Sequence, residues 1–282
     1  MLVVSADDFG LTDGVCRAVL RGHVDGIVTA TSLLAVGRSF DLAARMAADH
    51  PELDVGAHLA LVGEDRPLLS AREIPTLVDG RGSFPRSYRT VVARGVTGRL
   101  DTDDVRREFT AQLDRIAAAG VVVSHLDTHQ HTHLWPAVAR VVVELAVDRR
   151  VRVVRVPRSG RLSPVGGAVN LLSARLRRRV GRAGLLTTTG YAGLDQAGAM
   201  DAAAFRAAVN GLLAAVAPTG ASVEINTHPG EPGDPDLHRF DWGGYRWSDE
   251  LRMLCDPATR ATVIALGYTL GSFRDLAAGE AQ

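Results

Sequence analysis

The 282-residue chain contains no lysine: all 32 of its basic side chains are arginine. A Schiff-base aldolase, a pyridoxal-phosphate enzyme and a Walker-type phosphate loop each need a lysine amine, so none of them can be built from this sequence. Cysteine is nearly as scarce. Cys16 and Cys255 stand far apart and supply neither a disulfide framework nor a thiolate metal site, so both read as reduced packing residues. Net charge is also missing, because 32 acidic residues balance the arginines, and charge alone predicts no nucleic-acid partner. No stretch approaches the roughly 20 apolar residues that span a bilayer, and the opening Met-Leu-Val-Val carries neither a basic leader nor a cleavage site. The expected compartment is the cytoplasm, with no integral membrane segment, and a homodimer stays open as the assembly.

Short runs rich in Val and Ile alternate with longer amphipathic segments. Leu2–Ser5, Ile27–Val36, Leu53–His58, Val121–Leu126, Val151–Val156, Leu185–Thr188 and Ser222–Asn226 read as strands, with a weaker candidate at Tyr268–Gly271. Ser39–Asp49, Asp101–Ala119, Pro136–Asp148 and Asp201–Ala217 carry apolar residues at helical spacing, and several open on Asp or Ser suited to N-capping. The alternation predicts an α/β fold with a parallel sheet covered by helices, close to the strand number of a (β/α) barrel. One domain over residues 1–282 is expected, with loop insertions at 63–100 and 158–184 lying over the active face as lid or specificity elements. The run Arg175–Arg182 reads first as a solvated helix face, and second as a contact for an anionic ligand or a membrane surface.

Candidate ligands recur where these strands end: Asp7 and Asp8 after the first, then His58, His125 and His228. Strand ends of a parallel barrel converge on one mouth, so residues distant in sequence meet there. Adjacent carboxylates at a strand end diverge, which lets one bind a cation while the other faces whatever the cation activates. The densest cluster is Ser124-His125-Leu-Asp127-Thr-His129-Gln-His131-Thr-His133, too crowded for every member to bind metal. In an extended segment its alternating imidazoles would project to one side. His133 reads as a surface or supporting residue, His129 and His131 stay open between the two roles, and Asp127 either orients an imidazole or touches metal. One carboxylate with two imidazoles makes a site for a single divalent cation, magnesium or zinc, suited to amide or ester hydrolysis.

Ala6-Asp7-Asp8-Phe9-Gly10, Gly56-Ala-His58-Leu, the His125 to His131 segment and His228-Pro-Gly230 together resemble the YdjC/ChbG family of carbohydrate deacetylases. The resemblance runs in order over most of the chain. It implies a distorted (β/α) TIM-like barrel with a divalent metal at its mouth, acting on N-acetylated sugars such as chito-oligosaccharides. It also implies Asp8, His58 and His125 as metal ligands, Asp7 as general base and His228 as general acid. Arg155-Val-Pro157 resembles the family's Arg-x-Pro segment, in which an arginine near the base can hold its carboxylate ionised and oriented. Ser159, Ala60 and the Arg246/Glu250 spacing depart from the family pattern on the substrate side.

Tyr191, Trp242, Tyr245 and Trp247 offer stacking faces for a sugar ring. Three rival readings use the same residues. Clustered His and Asp at a barrel mouth also serve metal-dependent phosphoesterases, and a silent sugar-binding homologue could keep the barrel without turnover. A retaining glycosidase is disfavoured, because adjacent carboxylates on one strand cannot flank a bond from opposite sides.

Overall fold

The apolar run after Met1 becomes the strand β1, Leu2–Phe9, buried along its whole length as expected of a parallel strand covered on both faces. Six more strands follow: β2 (Ala30–Leu33), β3 (Asp54–Leu59), β4 (His125–Thr128), β5 (Val153–Val154), β6 (Gly190–Ala192) and β7 (Val223–Thr227). The computed structural model describes residues 1–216, 220–240 and 242–279. Its strands form one parallel sheet in the order β5-β4-β3-β2-β1-β7-β6. The sheet curls into a half-barrel surrounded by helices, and Arg155 from the end of β5 reaches Asp7 of β1 and Glu224 of β7 across its interior.

The helices are α1 (Asp13–Val24), α2 (Phe40–Asp49), α3 (Tyr88–Val96), α4 (Thr102–Ala118), α5 (Pro136–Asp148), α6 (Pro164–Arg182), α7 (Ala202–Ala215), α8 (Trp247–Cys255), α9 (Pro257–Ala265) and α10 (Phe273–Gly279). Their starts follow local chemistry. Side chains of Thr12, Asp101, Ser163, Asp201 and Asp256 each accept a first-turn N–H, and α5, α6 and α9 open on proline, whose missing N–H costs nothing there. Of the predicted helices, α2, α4, α5 and α7 form within a residue or two of expectation; Ala217 lies outside the described residues. Residues 63–100 connect β3 to α4 and contain α3, while 158–184 contain α6, the helix between β5 and β6.

Three strand expectations need correction. Leu185–Thr188 makes only a single bridge, Val153↔Leu186, and the strand proper is β6, whose Gly190 to Ala192 lie in register with Val223 to Ile225. The β-branched character of Thr187 and Thr188 favours extension but carries no register, which the partner strand sets. Tyr268–Gly271 likewise contributes one bridge, Leu2↔Leu270. The run Val121–Leu126 is mostly approach: Val122 is 80% exposed, and β4 begins only at His125.

Inside the barrel, residues alternate between the interior and the helix layer, so the interior is stacked in levels. The lowest is apolar, made by Val3, Ala30, Val153 and Phe273, with Phe273 plugging the bottom from α10. Arg274 beside it pins α10 to the sheet through an ion pair with buried Asp54 at 3.0 Å. Truncating Phe273→Ala is expected to lower the unfolding free energy by about 3–5 kcal/mol. Urea unfolding reads this as a lower midpoint at unchanged slope, and a loss under about 1 kcal/mol would show that the bottom is not packed by this ring.

Candidate active site

In a regular strand Asp7 and Asp8 would point to opposite faces. Here the register shifts between Ala6 and Phe9, and Asp8 adopts φ 66°, a left-handed conformation that Asp tolerates better than most residues. Both carboxylates therefore serve the mouth. Asp8 Oδ1 lies 2.9 Å from His129 Nδ1 and 3.3 Å from His58 Nε2, and those two nitrogens are 3.4 Å apart. Donor atoms bound to one cation at about 2.1 Å sit roughly 3.0 Å apart in an octahedral shell and 3.4 Å in a tetrahedral one. The donor set Asp8, His58 and His129 therefore fits one divalent ion.

Asp127 orients this cluster. His58 Nδ1 lies 2.7 Å from Asp127 Oδ1, and because a carboxylate only accepts, Nδ1 carries a hydrogen and Nε2 is turned toward Asp8 and His129, where a bound cation would take the place of its proton. Burial opposes charge on His58, yet Asp127, Asp7 and Asp8 push its pKa up to about 10. Burial likewise opposes charge on Asp8, but His129 and His58 hold its carboxyl well below the usual range.

Beneath the cluster lies Arg155, fully buried among three carboxylates. Its Nη1 and Nη2 donate to the two oxygens of Asp7 at 2.7 and 2.9 Å, Nε donates to Glu224 at 2.6 Å, and Nη1 also meets Asp127. Asn226 donates to Asp7 at 2.6 Å and Ser32 to Asp127 at 2.7 Å. Burial works against the guanidinium, but Asp127, Asp7 and Glu224 hold it charged, with its pKa well above the ordinary value. Sequence reasoning missed Glu224, Asn226 and Ser32. The signal was the alternation in Val223-Glu-Ile-Asn-Thr227, where the polar set faces the barrel interior of a fully buried strand.

The expected ligand His125 is not brought to the cluster. His58 pairs with Asp127 across β3 and β4, which puts His125 opposite Gly56, one interior level lower. Its ring lies against Phe273 at 3.9 Å between centroids, its nitrogens meet Ser124 and Ser32, and burial pushes its pKa down to about 4. Gly56 is required there, since a Cβ would collide with the His125 ring. The strand expected to end at Leu126 runs on to Thr128, so the imidazole at the mouth is His129, four residues beyond His125. Alternation also stops at His129. Gln130 and His131 turn left-handed with φ 50° and 51°, so His131 faces Tyr191 at 3.4 Å and His133 turns into the wall, donating from Nε2 to the Arg155 carbonyl at 3.0 Å.

His228 follows β7 and lines the same cavity, of about 490 Å³, with Asp7, Asp8, His58, His129, Trp242 and Tyr245. Its backbone N–H donates to buried Glu250 at 2.6 Å, while its Nδ1 has no partner among the described residues. Burial lowers its pKa, so the neutral imidazole is favoured. Glu250 also accepts from Met200 N–H, so this carboxylate ties the His228 turn to the segment before α7. Trp242 lies 5.2 Å from the His129 ring and donates to Glu64, and Tyr245 stands 5.4 Å from His228. Trp247 stacks behind both, Tyr191 is buried beside His131, and Ser159 donates to Asp195 away from the cluster. Arg246 pairs with Asp201 at 3.3 Å, and Ala60 is held by Gln112.

The family model described as YdjC-like protein matches residues 1–265. The chain belongs to the YdjC-like family. Proteins named carbohydrate deacetylase resemble this YdjC-like chain in Brevibacillus brevis, at 36% identity over 152 residues covering 54% of this chain and 58% of that protein. One from Geobacillus stearothermophilus is 40% identical over 167 residues, covering 58% of this chain and 63% of that protein. The matches thus span 58 to 63% of the length of these curated relatives. A solved Enterococcus faecalis protein named for cellobiose-phosphate cleavage shares the fold, with a TM-score of 0.80 over 98% of both chains at 22% identity.

Replacing Arg155→Met would leave Asp7, Asp127 and Glu224 buried without their counter-charge. The expected loss is about 3–5 kcal/mol of unfolding free energy, read from urea midpoints, and a variant as stable as the parent would refute the compensating role. Glu224 supplies a pH test. Burial pushes its carboxyl from 4.5 up to about 7 despite Arg155. Its contribution to stability is complete below pH 4.5 and is lost as pH rises through about 7. Glu224→Gln should remove that downward slope, and parallel stability curves for parent and variant would count against it.

Proposed function

We propose that the chain is a metal-dependent deacetylase that removes the acetyl group from an N-acetylated sugar or glycoconjugate of the chito-oligosaccharide type. The observation that carries this reading is the convergence of Asp8, His58 and His129 on one point, with the Asp7 carboxylate beside them but tied to Arg155. The names of the similar curated proteins support a carbohydrate as the deacetylated substrate, and the motif resemblance supports the N-acetylated, chito-oligosaccharide type. Asp8, His58 and His129 would hold the cation, with His129 in place of His125. The chemistry such a cation supplies is a water of lowered pKa and a polarised acetyl carbonyl.

Asp7 is the proposed general base. Two bonds from Arg155 and one from Asn226 fix its carboxylate toward the mouth, where it can take a proton from the attacking water. His228 is the proposed general acid: its imidazole, held by the Glu250-anchored turn and neutral at rest, would take up the proton that Asp7 removes from the attacking water, or one from solvent, and pass it to the departing amine. Trp242 and Tyr245 offer faces for the sugar ring. We also read residues 63–100 and 158–184 as insertions on a single domain spanning 1–282. Arg86, Ser87 and Tyr88 from the first border the mouth.

The phosphoesterase reading needs a second cation. Asp7, His58 and Asp127 form a second cluster of potential ligands, but the Arg155 guanidinium already contacts both of its carboxylates. A positive charge at that place disfavours a second metal, and with it two-metal phosphoryl chemistry.

Acetate release from N-acetylglucosamine oligomers is the direct assay, with loss expected on chelation and at least a hundredfold loss in Asp7→Asn. Activity that survives chelation would overturn the reading. Ligand assignment is tested by calorimetric zinc or magnesium titration of single variants. Asp8→Asn, His58→Gln and His129→Gln should weaken binding at least tenfold, while His125→Gln should leave it unchanged. The opposite pattern at His125 and His129 would restore His125 as ligand.

A further inference from the structure

Helix α6 carries features that the mouth does not use. Between residues 149 and 194 the chain has eleven arginines and no Asp or Glu. Arg155 is buried in the barrel, and Arg177 donates to the Thr188 carbonyl at 2.9 Å. Arg175, Arg178, Arg179 and Arg182, on the last turns of α6, are exposed and line a groove of about 550 Å³ against α5. None of these four has an acidic partner among the described residues. They stack on one another at helical spacings of three and four, where like charges repel. A solvated basic face would normally interleave acids at those positions, and this one has none.

The amino-terminal end of the same helix is apolar and bare. Leu162, just before the helix, is 106% exposed, and on the helix Val165 is 69% and Leu171 54% exposed. At about 100° per residue, Leu171, Arg175, Arg178 and Arg182 fall within roughly 60° of one another, opposite the buried Gly166, Ser173, Leu176 and Val180. Beside Val165, Val169 and Leu172 lies a mostly apolar cavity of about 500 Å³, which shares Tyr88, Gln130, His131 and Leu194 with the mouth.

We propose that α6 is a membrane-surface docking helix. Leu162, Val165 and Leu171 enter the boundary between headgroups and acyl chains, while Arg175, Arg178, Arg179 and Arg182 meet anionic lipid phosphates. Guanidinium groups suit this role, since their paired donors match phosphate oxygens. A soluble polyanion would satisfy the arginines but leave the three exposed apolar side chains without a partner, whereas an anionic bilayer serves both ends of the helix. No described helix is long and apolar enough to cross a membrane, so the contact is peripheral. Docked this way, α6 holds the cavity beside it, and through that the mouth, against the lipid surface. The inference does not depend on which reaction the mouth performs.

Flotation of the full chain with vesicles tests it, comparing phosphatidylglycerol–phosphatidylcholine mixtures with phosphatidylcholine alone. Binding to the anionic vesicles that weakens with salt is expected. The exposed triple variant R175Q/R178Q/R182Q should lower vesicle affinity on the order of a hundredfold. The variant L162S/V165S/L171S should lower it at least tenfold with the salt dependence retained. Both variants alter exposed positions, and circular dichroism checks their fold. Absence of binding to anionic vesicles would overturn the proposal. So would RNA binding that matches vesicle binding and ignores the apolar changes, which marks a polyanion site. A dimer that dissociates in the apolar variant, with no vesicle binding, would assign the face to a second copy of this chain instead.

Discussion

One buried cation organises the interior. Arg155 leaves the end of β5 and bonds carboxylates delivered by β1, β4 and β7, so a single guanidinium ties the β5–β4 edge of the sheet to the β1–β7 pair across the interior. Carboxyl groups crowded into a dry barrel need a counter-charge, since burying an unpaired ion costs several kcal/mol. From Arg155 the order passes upward. Asp127, fixed by Arg155 and Ser32, orients the ring of His58, and His58 then presents its other nitrogen to Asp8 and His129. The geometry of the ligand cluster is thus inherited from an ion network one level below it.

The levels themselves come from the strand period of two. Along β1, Val3, Ser5 and Asp7 face inward in turn, and along β4 the inward series is His125, Asp127 and then His129 at the mouth. Each step of two residues climbs about 6.6 Å, so chemistry changes with depth: apolar at Phe273, charged at Arg155, and a cluster of imidazoles and a carboxylate able to hold a cation at His58. Asp8 escapes the alternation only through its left-handed backbone, which brings two consecutive carboxylates to one opening and gives them different neighbours. Asp7 is tied to Arg155, and Asp8 to two imidazoles.

Above the barrel, the loops divide the surface by polarity. The turn after His228 brings aromatic rings against His129 and His228, and Glu250 anchors that turn from α8. On the other side, Gln130 clasps the start of α3 by accepting from Tyr88 N–H and donating to the Arg86 carbonyl, and the space between α3 and α6 is largely apolar. Aromatic faces and an apolar recess therefore flank the same cluster of Asp8, His58 and His129. Helix α6, basic at one end and apolar at the other, lies next to that recess.

Much of this was legible in the residues themselves. Hydrophobic runs of strand length alternating with capped amphipathic segments specify a parallel α/β barrel, because period and capping are local properties of the chain. Asp7, Asp8, His58 and His228 could be picked out for the same reason, each lying at the end of such a run. The choice between His125 and His129 was not local. Both carry an imidazole at an even spacing from Asp127, and only the pairing of His58 with Asp127 decides which one stands at the mouth and which lies on Gly56 below. The partnership of Arg155 with Glu224 and Asn226 was equally hidden, since it joins β5 to β7 through the interior. Sequence determined which residue types were available and which strands carried them; tertiary structure alone decided their depth, because depth in a barrel is set by the register between strands rather than by position along any one of them.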